Sequence, residues 1–116
     1  MPRDPRAYLF DVLQAAERVE RFIRHKSFED YVADDLLRAG VERQFEIIGE
    51  ALNQLQKHDS TLLVDIREHR KIIGFRNLLV HGYAEIDDAV VWSVAIEKLP
   101  WLREDAEALL NKLNTD

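Results

Sequence analysis

Apolar residues return every three or four positions along most of this chain, and polar residues fill the intervals. Leu9, Val12, Leu13, Ala16, Val19, Phe22 and Ile23 trace one stripe over about five helical turns. Glu17, Arg18, Glu20, Arg21 and Arg24 mostly take the opposite face. The spacing predicts a first helix that begins at Asp4, with Pro5 at its first position, where a missing N–H costs nothing. Ser27 followed by Asp30 has the form of a capping box, with Asp for the usual Glu or Gln, and predicts a short helical turn over 28–32.

A long helix is expected from 34 to 57, with Leu36, Leu37, Val41, Phe45, Ile48, Ala51, Leu52 and Leu55 on its buried side. Gly40 and Gly49 interrupt that pattern, each at roughly 1 kcal/mol against Ala. Gly49 is best explained by the close approach of a neighbouring helix. Glu46 and Glu50 share one side, as do Arg43 and Glu46, and Glu50 lies in an apolar stretch where it can face inward. His58-Asp59-Ser60 reads as a break, followed by a short helical piece over 62–66. A further helix is expected over 67–80, burying Ile72, Ile73, Leu79 and Val80, and ending near His81-Gly82. Asp87 or Asp88 caps the last helix. Val91, Val94, Ala95, Leu102, Ala106, Leu109, Leu110 and Leu113 carry its period, and Pro100 within it predicts a kink or two abutting helices. The pattern is all-α, an antiparallel bundle of four or five helices forming one domain over 1–116.

Composition narrows the chemistry. Of 116 residues 47% are apolar, enough to build a core, and only four Gly and three Pro interrupt it. The absence of Cys excludes disulfides, thiolate metal sites and a Cys nucleophile, and fits a reducing compartment. No apolar run approaches the ~20 residues of a membrane span. The N-terminus lacks the apolar core of a signal peptide, so a cytoplasmic protein without membrane contact is expected. The net charge of -6 argues against non-specific polyanion binding, so any nucleic-acid contact must be local. The best basic cluster is Arg67, Arg70, Lys71 and Arg76, diluted by Asp65 and Glu68, and on its own it reads as a solvated helix face.

One stretch concentrates reactive groups: Arg76, Asn77, His81 and Tyr83. A guanidinium and an imidazole this close are the parts needed to handle a phosphate diester. Arg76 and His81 are five residues apart and offset around a helix axis, so they meet only because Arg is long and the helix is ending. The dipole at that end favours a protonated imidazole, suited to proton transfer. The same spacing is equally met by a salt-bridged Arg and a helix-capping His, an exposed Asn77 and a packing Tyr83. No His or carboxylate pair has metal-ligand spacing, so no metal and no cofactor are expected. Gly-rich phosphate loops, a Ser nucleophile elbow and a glycosidase-like carboxylate pair are absent from the sequence.

Three segments together resemble one known family. Arg76-Asn77-x-x-x-His81 is similar to the Arg-polar-x-x-x-His motif of the HEPN superfamily of metal-independent ribonucleases. Arg76-x4-His81-x-Tyr83 resembles the narrower form found in HepT-type toxins. Val41 through Ala51 is similar to that family's second-helix signature, and Val90-Val91-Trp92 through Leu99-Pro100 resembles its last helix. Phe75 stands where Met is commoner, and the Pro-Trp often found just upstream is absent. The resemblance implies a homodimeric helical bundle with two motifs facing each other across a cleft. It implies RNA as substrate and a toxin of the type VII HepT/MntA-like toxin–antitoxin kind. The implied partner is a cognate MntA-like nucleotidyltransferase antitoxin that adds AMP to Tyr83. In that scheme Arg76, His81 and Asn77 are catalytic and Glu50 supports Arg76. The alternative is a non-catalytic dimeric HEPN module that binds a nucleotide or the nucleotidyltransferase.

Overall fold

The computed structural model describes residues 3–82 and 86–115. Six α-helices follow in order: α1 (Pro5–Ile23), α2 (Phe28–Ala33), α3 (Asp35–His58), α4 (His69–His81), α5 (Asp88–Ser93) and α6 (Leu99–Thr115). A 3-10 turn, Ser60–Asp65, joins α3 to α4, and a π turn, Val94–Lys98, joins α5 to α6. The described residues contain no strand. The count exceeds four or five because α2 is a separate six-residue piece and because α5 and α6 are two parts of one helical run.

The caps stand where short polar side chains precede apolar periods. The Asp4 carboxylate accepts the Arg6 N–H at 2.9 Å, with Pro5 at the first helical position. Ser27 and Asp30 form the reciprocal box, at 3.1 and 2.9 Å. Asp34 accepts the Leu37 N–H at 3.0 Å and Asp87 the Ala89 N–H at 2.9 Å. Each such oxygen satisfies a donor that the helix cannot, worth about 1 kcal/mol.

The core forms where the stripes of α1, α3 and α6 meet. Leu9, Val12, Val19, Val41, Ile48, Leu52 and Leu55 are fully buried, with Leu99, Leu102 and Ala106 closing from α6. Burying each Leu or Ile contributes on the order of 2 kcal/mol. Phe22 near the end of α1 touches Gly40 near the start of α3. Glu20 and Arg103, at 2.8 Å, and Arg6 and Asn114, at 3.5 Å, fix α1 antiparallel to α6. Tyr31 seals α2 to α5 by its tilted contact with Trp92, at 5.5 Å between centroids. Its hydroxyl has no partner among the described residues, and burial pushes its phenol pKa up, with Glu42 and Asp88 adding to the effect.

Three expectations change. Leu36 is 83% exposed, because it sits a third of a turn off the stripe that Leu37 and Val41 follow. Val80 is exposed at 36%, on the rim of the bundle, while Leu79 takes the core. Helix α4 starts at His69, because Arg67 is drawn away and Glu68 adopts a left-handed backbone, φ 60. The Asp105 carboxylate accepts the Arg67 backbone N–H at 2.9 Å and its guanidinium at 2.9 to 3.2 Å, which holds the Asp105 pKa below the usual carboxylate range.

The break around Pro100 takes the form of the π turn. The Leu99 N–H bonds to the Val94 carbonyl, five residues back. Pro100 has no N–H to give, and its ring crowds the carbonyl four residues earlier. The wider turn takes up that mismatch inside a continuous helical run. No helix among the described residues is long and apolar enough to cross a membrane.

Candidate functional site

Helix α4 is positioned by its apolar edge. Ile72, Phe75 and Leu79 face the bundle, and Phe75 meets Phe45 of α3 edge-on, 5.5 Å between centroids. Arg76 falls at the margin of that stripe, directly over Gly49 of α3. A Cβ at Gly49 would lie 2.1 Å from the Arg76 Cβ and 2.7 Å from its Cγ. Only a glycine permits this approach, so the reading of Gly49 as a helix contact holds, and the residue above it is the candidate catalytic arginine.

The close approach aims the guanidinium. One Nη of Arg76 lies 3.0 Å from a Glu50 carboxylate oxygen, and the other donates to Asn77 Oδ1 at 3.0 Å. The second Glu50 oxygen accepts from Gln54 Nε2 at 2.8 Å. Gln54, Glu50, Arg76 and Asn77 thus form one hydrogen-bonded chain. The Arg76 and Glu50 side chains are 25% and 44% exposed, so their pairing adds at most about 1 kcal/mol to stability. Its effect is orientation: the planar fork is held from two sides, by Glu50 and by Asn77. Asn77 spends its carbonyl on Arg76, which leaves its amide N–H groups free to donate.

His81 is the last residue of α4 and is exposed. It stands one turn beyond Asn77 on the outward face, and among the described residues it has no hydrogen bond or ion pair. The structure therefore brings Arg76, Asn77 and Glu50 together and leaves the exposed His81 outside their hydrogen-bonded chain and outside the lining of the groove beside Arg76. Tyr83 lies outside the described residues. Among the described residues no three His, Asp or Glu side chains are grouped as a metal site.

Arg76 also lines a groove of about 210 Å³ on the outer face of α3. Arg76 and Val80 form one wall, Arg43, Glu46, Glu50 and Gln54 the floor, and Tyr8 and Asp11 of α1, with Arg3 just before it, the far wall. Arg3 pairs with Asp11 at 2.7 Å, and Arg43 with Glu46 at 3.9 Å. The sequence reading missed Gln54 and the α1 wall. Gln54 follows Glu50 by one turn and so carried a local signal. Tyr8 and Arg3 carried none, because only the packing of α1 on α3 brings them opposite α4.

Comparison with known proteins gives a consistent result. The family model described as "Ribonuclease HepT-like" matches residues 12–109. A protein of Thermococcus cleftensis named "Probable ribonuclease HepT" is 34% identical over 109 residues, covering 94% of this chain and 98% of the relative. A protein of Caldanaerobacter subterraneus subsp. tengcongensis, named as a "Putative RNase", is 31% identical over 95% of this chain and 97% of its own length. Another so named, from Methanocaldococcus jannaschii, is 30% identical over 90% of this chain and 95% of its own length. No solved structure matches the chain.

Proposed function

The chain belongs to the HepT-like ribonuclease family, and from that premise we propose that it is a metal-independent endoribonuclease acting as the toxin of a type VII toxin–antitoxin pair. The observation that carries the proposal is the clamp on Arg76. Glycine contact, carboxylate and amide fix a guanidinium on the same helix whose last residue is the exposed His81.

RNA brings its own nucleophile. The ribose 2'-OH attacks the adjacent phosphorus while His81 takes its proton, and the P–O5' bond breaks as the leaving oxygen gains one. The second copy's imidazole supplies that proton in a symmetric dimer. Arg76 binds the scissile phosphate bidentately and offsets the charge growing on its oxygens, and the free Asn77 amide donates to the same phosphate or to His81. The products carry a 2',3'-cyclic phosphate and a 5'-OH. Purified protein incubated with tRNA in excess EDTA is expected to yield these ends. Intact tRNA would overturn the proposal and favour the dimeric binding module, which the net charge of -6 and the paired arginines of the groove also suit.

The dimer rests on a glycine. Gly74 lies on the exposed face of α4, and none of the described residues comes within 4 Å of where its Cβ would be. A glycine there costs about 1 kcal/mol against Ala and serves no contact among the described residues. It suits the approach of a second copy, with Leu78 and His81 one and two turns further along the same face. Silencing follows the scheme that the resemblance to HepT-type toxins implies: AMP added to Tyr83 by a cognate nucleotidyltransferase brings bulk and negative charge two residues from His81. Protein co-expressed with an active partner enzyme is expected to scatter light at about twice the 13.6 kDa chain mass and to gain multiples of one AMP mass on Tyr83. A monomer, or an unmodified Tyr83, would remove the corresponding part.

A further inference from the structure

We propose that the groove between Arg76 and α1 is a nucleotide subsite, in which the base of a single-stranded RNA stacks on Tyr8 and Arg3 and its phosphate is held by Arg43. The inference rests on the ribonuclease reading and adds where the strand goes after Arg76.

The groove starts at Arg76 itself and crosses α3 to Tyr8, a span of about one helix diameter, ~10 Å. Its volume of about 210 Å³ suits one flat group. Tyr8 is half-buried, so its ring is held against the bundle while it lines the groove. The Arg3 guanidinium lies over the ring, 4.9 Å from its centroid, so ring and guanidinium form one stacked platform on which the base rests against the guanidinium plane that Tyr8 supports. Aromatic rings and guanidinium planes are the surfaces on which unstacked RNA bases rest, whatever their sequence.

Charge sets the rest of the assignment. Each of the groove's three arginines faces a carboxylate: Arg3 with Asp11, Arg76 with Glu50, and Arg43 with Glu46. The groove is therefore no general polyanion trap, in keeping with the acidic chain. Arg43 has the loosest pair, at 3.9 Å, with its side chain 67% exposed. Such a pair is worth little in water, so Arg43 swings to a phosphate at small cost, while Arg3 and Arg76 stay in place.

The test uses the His81→Ala variant, which keeps RNA uncut, and the fluorescence anisotropy of a short labelled single-stranded RNA. Adding Tyr8→Leu, which keeps apolar bulk but removes the ring, is expected to weaken binding about 5- to 150-fold, the loss of one stacked base. Tyr8→Phe is expected to bind as its parent does. Arg43→Gln is expected to lower the slope of log affinity against log salt by about 0.7, one phosphate contact on a single strand. In otherwise native protein, Tyr8→Leu raises KM for RNA cleavage and Tyr8→Phe does not.

Unchanged affinity in Tyr8→Leu overturns the subsite and leaves the ribonuclease reading standing. A parent protein that neither binds nor cuts RNA ends both. Loss of the dimer in Tyr8→Leu, read by light scattering, makes the groove a protein contact and also overturns the subsite. Should Tyr8→Leu fail to fold, the exposed Arg43→Gln decides by its salt slope.

Discussion

His81→Ala is expected to lower the rate of RNA cleavage by two to four orders of magnitude with little change in melting temperature. The size is that of one general acid–base group. The stability expectation follows from the site: the ring is exposed and makes no hydrogen bond or ion pair among the described residues, so its removal leaves no buried partner stranded. Arg76→Ala is expected to cost about 10²- to 10³-fold, the loss of a donor to the charge formed at phosphorus. It differs in one respect, because it also strands Glu50 between Gln54 and an empty position. Arg76→Lys keeps the charge but cannot reach Glu50, Asn77 and a phosphate with one ammonium, so it is expected to restore little. Cleavage rates against a labelled RNA, with helical content followed in parallel, check all three. Native rates in both His81→Ala and Arg76→Ala would end the assignment of the site.

What the sequence revealed and what it hid divide by range. Helix starts depend on a side chain and an N–H two or three residues away, so Asp4, Ser27, Asp34 and Asp87 were legible as caps. The apolar stripes were legible because helical periodicity is local. Leu36 and Val80 were misjudged because each is apolar and near a stripe, while burial is decided by whether another helix lies opposite. Arg67 left its helix for Asp105, a residue on α6 that no local rule connects to it. At the site, the Arg76–Glu50 pair was anticipated only through the family resemblance, since the residue pattern by itself said no more than that Glu50 can face inward. Tyr8 was invisible for the opposite reason: an aromatic on an apolar stripe fits the core so well that nothing marks it as a groove wall. The elements that hold the site could be read, and the surface they make together could not.

Gly49→Ala turns that distinction into a measurement. In an isolated helix the change gains up to about 1 kcal/mol. Here the new methyl would stand 2.1 Å from Arg76 Cβ, and the atoms it meets are next to the backbone rather than at a flexible tip. Relief requires α4 to move away from α3, which also loosens the Phe45–Phe75 contact. Overpacking of this kind costs about 1–3 kcal/mol, so a net loss and a melting temperature lower by several degrees are expected. Cleavage is expected to fall further, about 100-fold at temperatures where the variant is still folded, since a shift near 1 Å misplaces the guanidinium relative to the phosphate. Gly40→Ala is the control. Its Cβ would meet Phe22 at 3.4 Å, an ordinary contact, and so that variant is expected to be as stable as the parent or more so, with unchanged cleavage. The contrast separates the cost of an added methyl in α3 from the cost of lifting α4. If Gly49→Ala melts and cuts as Gly40→Ala does, the helix contact is not what aims Arg76, and the clamp must be sought in Glu50 and Asn77 alone.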